Sequence, residues 1–234
     1  MNPIAEIVGR VPERRINVLD VGCYAGTVTL DFAMGLRNVS KEIFSIGIDP
    51  IAHCHVYRFT HFIEAAIRNC EPTTATFYQY SDPQCSSLLK MTTNLTHNRE
   101  ERDKKWYSDR DFERLLATKS VRVLPLSAII EQFNLQEEYI HFLKIDVQGC
   151  DLEAFLSLGP YIKSCLFVQI ETVVSGSKDI ILYEGQTLHE EELPIMAEHG
   201  FEVFSLIDYR DTYGTPEADV VYVNTELRKQ KGLA

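Results

Sequence analysis

Four short stretches carry the residues whose types and spacing suit chemistry: Asp20-Val21-Gly22-Cys23-Tyr24-Ala25-Gly26, Gly47-Ile48-Asp49-Pro50, Lys144-Ile145-Asp146 and Glu171. The first is entered through the apolar Val18-Leu19 and left through Thr27-Val28-Thr29-Leu30. A buried strand ending in an acid, a tight turn of small residues and a helix start with free backbone N–H groups make a nucleotide-type pocket. Tyr24 stands where a Gly-x-Gly-x-x-Gly turn has its middle glycine. The Asp-x-Gly-x-x-x-Gly spacing therefore points to S-adenosylmethionine more than to NAD.

Each residue of that pocket has an expected task. Gly22 and Gly26, without side chains, let the backbone approach the cofactor, and the helix starting near Thr27 offers partial positive charge to a methionine carboxylate. Asp20 suits the ammonium end. Asp49, with two acceptor oxygens, suits the two ribose hydroxyls. Cys23, Tyr24 and Pro50 flank these positions, and Ala65 and Ala66, beside Glu64, leave room for the flat adenine. Turn or cap duty is the alternative for Asp20 and Asp49, and plain strand packing the alternative for the two alanines.

Methyl transfer to oxygen needs an acceptor aligned with the sulfur–methyl bond and a group that takes the hydroxyl proton. Period-two alternation puts Phe142, Lys144 and Asp146 on one strand face, with Asp146 nearest the carboxyl rim. Asp146 is the expected base, Lys144 holds it ionised or meets the acceptor oxygen, and Glu171 is the second candidate base. A structural ion pair is the alternative for Lys144 and Asp146. Asp146 and Glu171 also suit magnesium, but no third oxygen ligand is recognisable, so no metal is expected. His53 and His55 lack a third ligand at metal spacing, His141 reads as structural, and His189-Glu190-Glu191-Glu192 reads as a solvated first helical turn.

Positioning these groups calls for strands alternating with helices. Strands are expected over 16–21, 43–48, 61–67, 76–80, 121–124, 139–147, 166–172, 201–207 and 219–224, and helices over 27–37, 126–133, 151–158 and 188–199. This alternation implies an α/β fold whose mostly parallel sheet is covered on both faces, with ligands at the carboxyl ends of the strands. Asp20, Asp49, Asp146 and Glu171 each fall at such an end. Residues 1–15 read as an N-terminal extension to a domain over 16–234, and 81–118 as a polar helical insertion, with Trp106 and Tyr107 available to stack on a substrate ring.

The motifs Val18-Leu19-Asp20-Val21-Gly22 with Gly26, Gly47-Ile48-Asp49-Pro50, Ser86-Ser87-Leu88, Leu143-Lys144-Ile145-Asp146-Val147-Gln148-Gly149 and Gln169-Ile170-Glu171 resemble the FkbM-type S-adenosylmethionine-dependent methyltransferases over residues 16–224. The resemblance implies a class I, Rossmann-like fold with a seven-stranded sheet, parallel except for its last strand. It also implies O-methylation of a small-molecule hydroxyl on a sugar, a glycosylated or a polyketide-like metabolite.

Composition sets bounds on the partners. A formal net charge of −11 argues against a nucleic-acid partner, which needs a dense lysine and arginine footprint. Six widely spaced cysteines form no Cys-x-x-Cys pair, and no apolar run approaches the length of a membrane helix or forms a signal segment near Met1. The expected setting is the cytoplasm, away from membranes. Two further readings stand beside the first: a ribose 2′-O-methyltransferase acting on RNA, and a non-catalytic cofactor-binding module.

Overall fold

The computed structural model describes residues 3–24, 27–36, 41–52, 58–92, 114–174, 181–209 and 217–233. Among them, the strands in chain order are β1 (Arg15–Val21), β2 (Glu42–Asp49), β3 (His61–Glu64), β4 (Ala66–Ile67), β5 (Thr73–Tyr80), β6 (Leu115–Leu124), β7 (Ile140–Ile145), β8 (Cys165–Val173), β9 (Phe201–Asp208) and β10 (Glu217–Asn224). Seven make the main sheet in the order β3-β2-β1-β7-β8-β10-β9. Neighbours pair in parallel from β3 to β8, and β10 runs antiparallel to both β8 and β9. This is the class I methyltransferase arrangement, with the last strand reversed as expected.

Alternation along each strand feeds two apolar layers. Ile16, Val18, Phe142, Phe167, Val221 and Val223 face α1 (Pro3–Val8), α2 (Thr27–Gly35) and α6 (Thr225–Gln230). Leu19, Val21, Leu143, Ile145, Val168 and Ile170 face α3 (Leu126–Gln132), α4 (Asp151–Leu156) and α5 (His189–Glu198). Phe32 of α2 stacks on Phe142 of β7, centroids 4.9 Å apart, which fixes the helix that follows the glycine turn. Helix α1, inside the expected N-terminal extension, buries Ile4, Ala5 and Val8 in the first layer and is part of the core.

Three expectations change. Residues 61–67 are not one strand: β2 ends at Asp49, so past Glu64 the chain has no neighbour in the main sheet. Ala65 N–H donates to the Asp49 carbonyl at 3.1 Å, and Ala66 and Ile67 pair instead with Val123 and Leu124. Residues 115–118, placed in the helical insertion, are strand, because β6 pairs along the whole of β5 in a second sheet of order β4-β6-β5. Residues 81–92 of that insertion are not helical either, apart from one short 3-10 turn over Pro83–Cys85, because Ser87 and Met91 bridge to Tyr78 and Tyr183; 93–113, with Trp106 and Tyr107, lie outside the described residues, as do His53 and His55. The start of α5 is not wholly solvated either: Glu192 is buried and accepts the Tyr222 hydroxyl at 2.5 Å, with His189 buried beside it, because this helix turns that face onto β10.

Where β1 and β7 end, their backbones nearly touch. Asp146 N–H donates to the Val21 carbonyl (3.0 Å), and Gly22, at φ +70°, lies so close that an added Cβ would sit 1.7 Å from the Asp146 carbonyl oxygen. Gly200 has a similar φ of +82° but open space around it. Gly200→Ala therefore carries only the backbone strain of roughly 1 kcal/mol, whereas Gly22→Ala adds a clash with backbone and lowers stability by clearly more. Thermal melts of the two variants side by side check this; equal losses would contradict the close approach.

Candidate active site

The alternation that fills the α1–α2–α6 layer continues past it into polar residues. One row across the sheet is Gly47, Asp20, Lys144, Gln169 and Val221, each paired with the next. Two residues further along the same strands, at the carboxyl rim, come Asp49, Gly22, Asp146, Glu171 and, directly opposite Glu171 on β10, Asp219. These side chains line a cavity of about 290 Å³, near the lower end of ligand pockets. Its other walls are Ile51, Ile67, Phe77 and Leu88, with Gln79, Gln84, Ser86 and Gln148 supplying neutral polar groups.

Lys144 sits at the centre. Its ammonium donates to the Gly22 carbonyl and to Asp146 Oδ2, both at 3.0 Å, and lies 3.6 Å from Asp20 Oδ1. Burial disfavours that ammonium, but the Asp146 and Asp20 carboxylates outweigh it and raise its pKa. Asp20 is 1 % exposed; Thr29 donates to its Oδ2 at 2.7 Å, while Oδ1 is buried without a hydrogen-bond partner. Burial raises the Asp20 pKa against the pull of Lys144. For Asp146 the balance is reversed. Burial again works against the charge, but Lys144 and the hydrogen bonds from Glu171 and Gln148 hold its pKa below the ordinary value.

Asp49 accepts from Ile51 N–H (2.9 Å) and Tyr24 N–H (3.2 Å), so it closes a turn. Asp49 also lines the cavity. The structure thus brings Asp20, Gly22, Cys23, Tyr24, Asp49, Pro50, Ala66, Lys144, Asp146 and Glu171 to one cavity. Ala65 is not among them: at the pivot between β3 and β4 it packs into the α3–α4–α5 layer. Gly26 lies outside the described residues, and for Thr27 only its place at the start of α2 is described. His141 is structural, as expected; it is buried, burial lowers its pKa to about 4, and its Nδ1 accepts the Asn17 N–H at 3.1 Å.

Sequence reasoning missed Gln169, Asp219 and the wall from β5 and the 83–88 segment. Asp219 was hidden because β10 runs antiparallel, so its beginning, not its end, reaches the rim. Gln148 was visible inside a motif, but nothing in sequence showed its amide reaching back to Asp146 (2.8 Å) and across to Glu171 (2.5 Å).

Because Lys144 is the one cation among the described residues lining the cavity, its removal strands the buried Asp20 and the half-buried Asp146. Lys144→Met is expected to cost about 3–5 kcal/mol in urea unfolding, and Lys144→Met with Asp146→Asn to recover part of it. A loss in the single variant no larger than that of an exposed pair would contradict this arrangement.

Comparison with known proteins gives one family and a set of distant folds. The profile described as the methyltransferase FkbM domain matches residues 20–203, most of the chain. No curated protein gives a significant match. Solved structures similar to this chain include the 1,6-didemethyltoxoflavin-N1-methyltransferase of Burkholderia thailandensis, crystallised with 1,6-didemethyltoxoflavin and S-adenosylhomocysteine. It is 10% identical at a TM-score of 0.43, over 96% of this chain and 77% of that one. Another is OxaC in complex with SAH and oxaline, 8% identical at a TM-score of 0.40, over 94% of this chain and 46% of that one. At such scores neither bears on the assignment, which rests on the family match and on the motifs placed around the cavity. The chain belongs to the FkbM methyltransferase family of S-adenosylmethionine-dependent enzymes.

Proposed function

We propose that this enzyme methylates a hydroxyl group of a small molecule, a sugar or a glycosylated or polyketide-like metabolite, with Asp146 as general base. The observation that carries the reading is the Asp146 carboxyl group, 3.0 Å from the Lys144 ammonium at the rim of a cavity that Asp49 also lines. The residues present fit S-adenosylmethionine. Among the described residues lining the cavity five carboxyl side chains face one cation, Asp20 Oδ1 is buried with Lys144 3.6 Å away, and Ile51, Ala66, Ile67 and Phe77 offer apolar surface to a flat ring.

In this reading Asp20 faces the ammonium end, Asp49 the ribose hydroxyls, and the start of α2 the carboxylate. When bound, the cofactor would supply a methyl group on a sulfonium sulfur, with the neutral thioether as leaving group. Asp146 takes the proton of the acceptor hydroxyl, and Lys144 keeps Asp146 oriented. Gln79, Gln84, Ser86 and Gln169 line the same space and suit a hydroxylated, uncharged acceptor. The acidic lining weighs against an RNA ribose, and the free thiols of Cys23, Cys70, Cys85, Cys150 and Cys165 agree with a cytoplasmic setting.

Two measurements test these roles. Calorimetry with S-adenosylhomocysteine should show at least about tenfold weaker binding for Asp49→Ala, the loss of hydrogen bonds to a charged acceptor. Unchanged affinity would remove Asp49 from the ribose. With a hydroxylated acceptor in hand, Asp146→Asn should lower kcat by about 10² to 10⁴ while cofactor affinity stays within a few-fold. Full turnover would exclude Asp146 as base.

A further inference from the structure

The Asp146 and Glu171 carboxyl groups lie close enough together for one side chain, Gln148, to bind both. The Gln148 Nε2 lies 2.8 Å from Asp146 Oδ1 and 2.5 Å from Glu171 Oε2. An amide nitrogen has two hydrogens, one for each carboxyl. The opposite amide orientation would press three acceptors together, and the Tyr183 hydroxyl, 2.8 Å from Gln148 Oε1 and 2.9 Å from the Cys85 carbonyl, holds the other end of the amide.

The geometry is held from several sides. Gln148 has φ +59°, a left-handed conformation that residues other than glycine rarely adopt. Ser87 Oγ donates to the Gln148 carbonyl (2.7 Å), and Asp151 accepts from both Val147 and Gly149 N–H at 2.8 Å. So the loop after β7 is clamped in the form that turns this amide toward the acids.

We infer that Gln148 is the positioning residue of a carboxyl pair that holds a single proton, seated on Glu171, so that Asp146 is the ionised partner. The inference builds on Asp146 as base. Two carboxyl groups drawn onto one amide repel each other when both are charged, so one of them keeps a proton, and the Lys144 ammonium on Asp146 makes Asp146 the one that keeps the charge. The surroundings act the same way. Glu171 is faced by Asp146 from β7, Glu217 from β10, Asp151 from α4 and the Tyr183 hydroxyl; burial and then the Asp146 charge push its pKa well above the ordinary glutamate value. Asp146 is faced by Lys144 from its own strand, Glu171 from β8, and more distantly by Asp20 and Asp219.

The test is a carboxyl ¹³C NMR titration of the full chain labelled at Asp and Glu, with signals assigned through Asp146→Asn and Glu171→Gln. At neutral pH the wild type should show Glu171 as a carboxylic acid and Asp146 as a carboxylate. Gln148→Ala removes a donor from the charged form, so the Asp146 titration should move up by about one to two pH units. Tyr183→Phe, which only loosens the amide, should move it less in the same direction. An ionised Glu171 in the wild type, or an Asp146 titration that neither variant moves, would overturn the inference. No turnover is needed, so a titration that behaves as stated while Asp146→Asn keeps full activity would uphold the pair and reject only the base.

Discussion

A single buried ammonium governs this site. Lys144 lies beneath the rim with Asp20 on one side, Asp146 on the other and the Gly22 carbonyl above. The same side chain thereby binds the end of β1, the turn that follows it and the end of β7. Two acids that share one neighbour, one of them fully buried, repel each other unless an opposite charge stands between them. Lys144 thus sets the shape of the glycine turn and the ionisation of the cavity floor together.

The fold makes that arrangement economical. Parallel strands with period-two alternation line up one apolar layer against α1, α2 and α6, and the next positions on the same strands emerge beyond the helices as a polar rim. The Phe32–Phe142 stack fixes α2 against β7, the strand that carries Lys144. The small β4-β6-β5 sheet and the 83–88 segment then add the wall that turns an open rim into a cavity.

Much of this was legible in the sequence because the signals are local. The Asp20 to Gly22 turn, the Asp49 strand end and the Lys144-Ile145-Asp146 strand each announce themselves by apolar runs that stop at an acid, and parallel pairing brings those stops together. What was hidden depends on pairing between distant segments. Ala65 looked like part of a continuous strand, yet the end of β2 at Asp49 splits that strand between two sheets. Residues 115–118 read as part of a polar, helical insertion over 81–118, yet β5 recruits them by antiparallel hydrogen bonding. Asp219 reaches the rim only because β10 is reversed, and Gln148 reaches two acids only because its backbone is left-handed. Neither property is written in a side-chain pattern.

The most direct measurement is a crystal structure of the chain with S-adenosylhomocysteine bound. The account predicts the ligand in the cavity lined by Asp20, Asp49 and Asp146, with ribose hydroxyls on the Asp49 carboxylate, the amino group toward Asp20, and the sulfur on the side of Asp146. A ligand bound elsewhere, or seated there with its ribose turned away from Asp49, would contradict it.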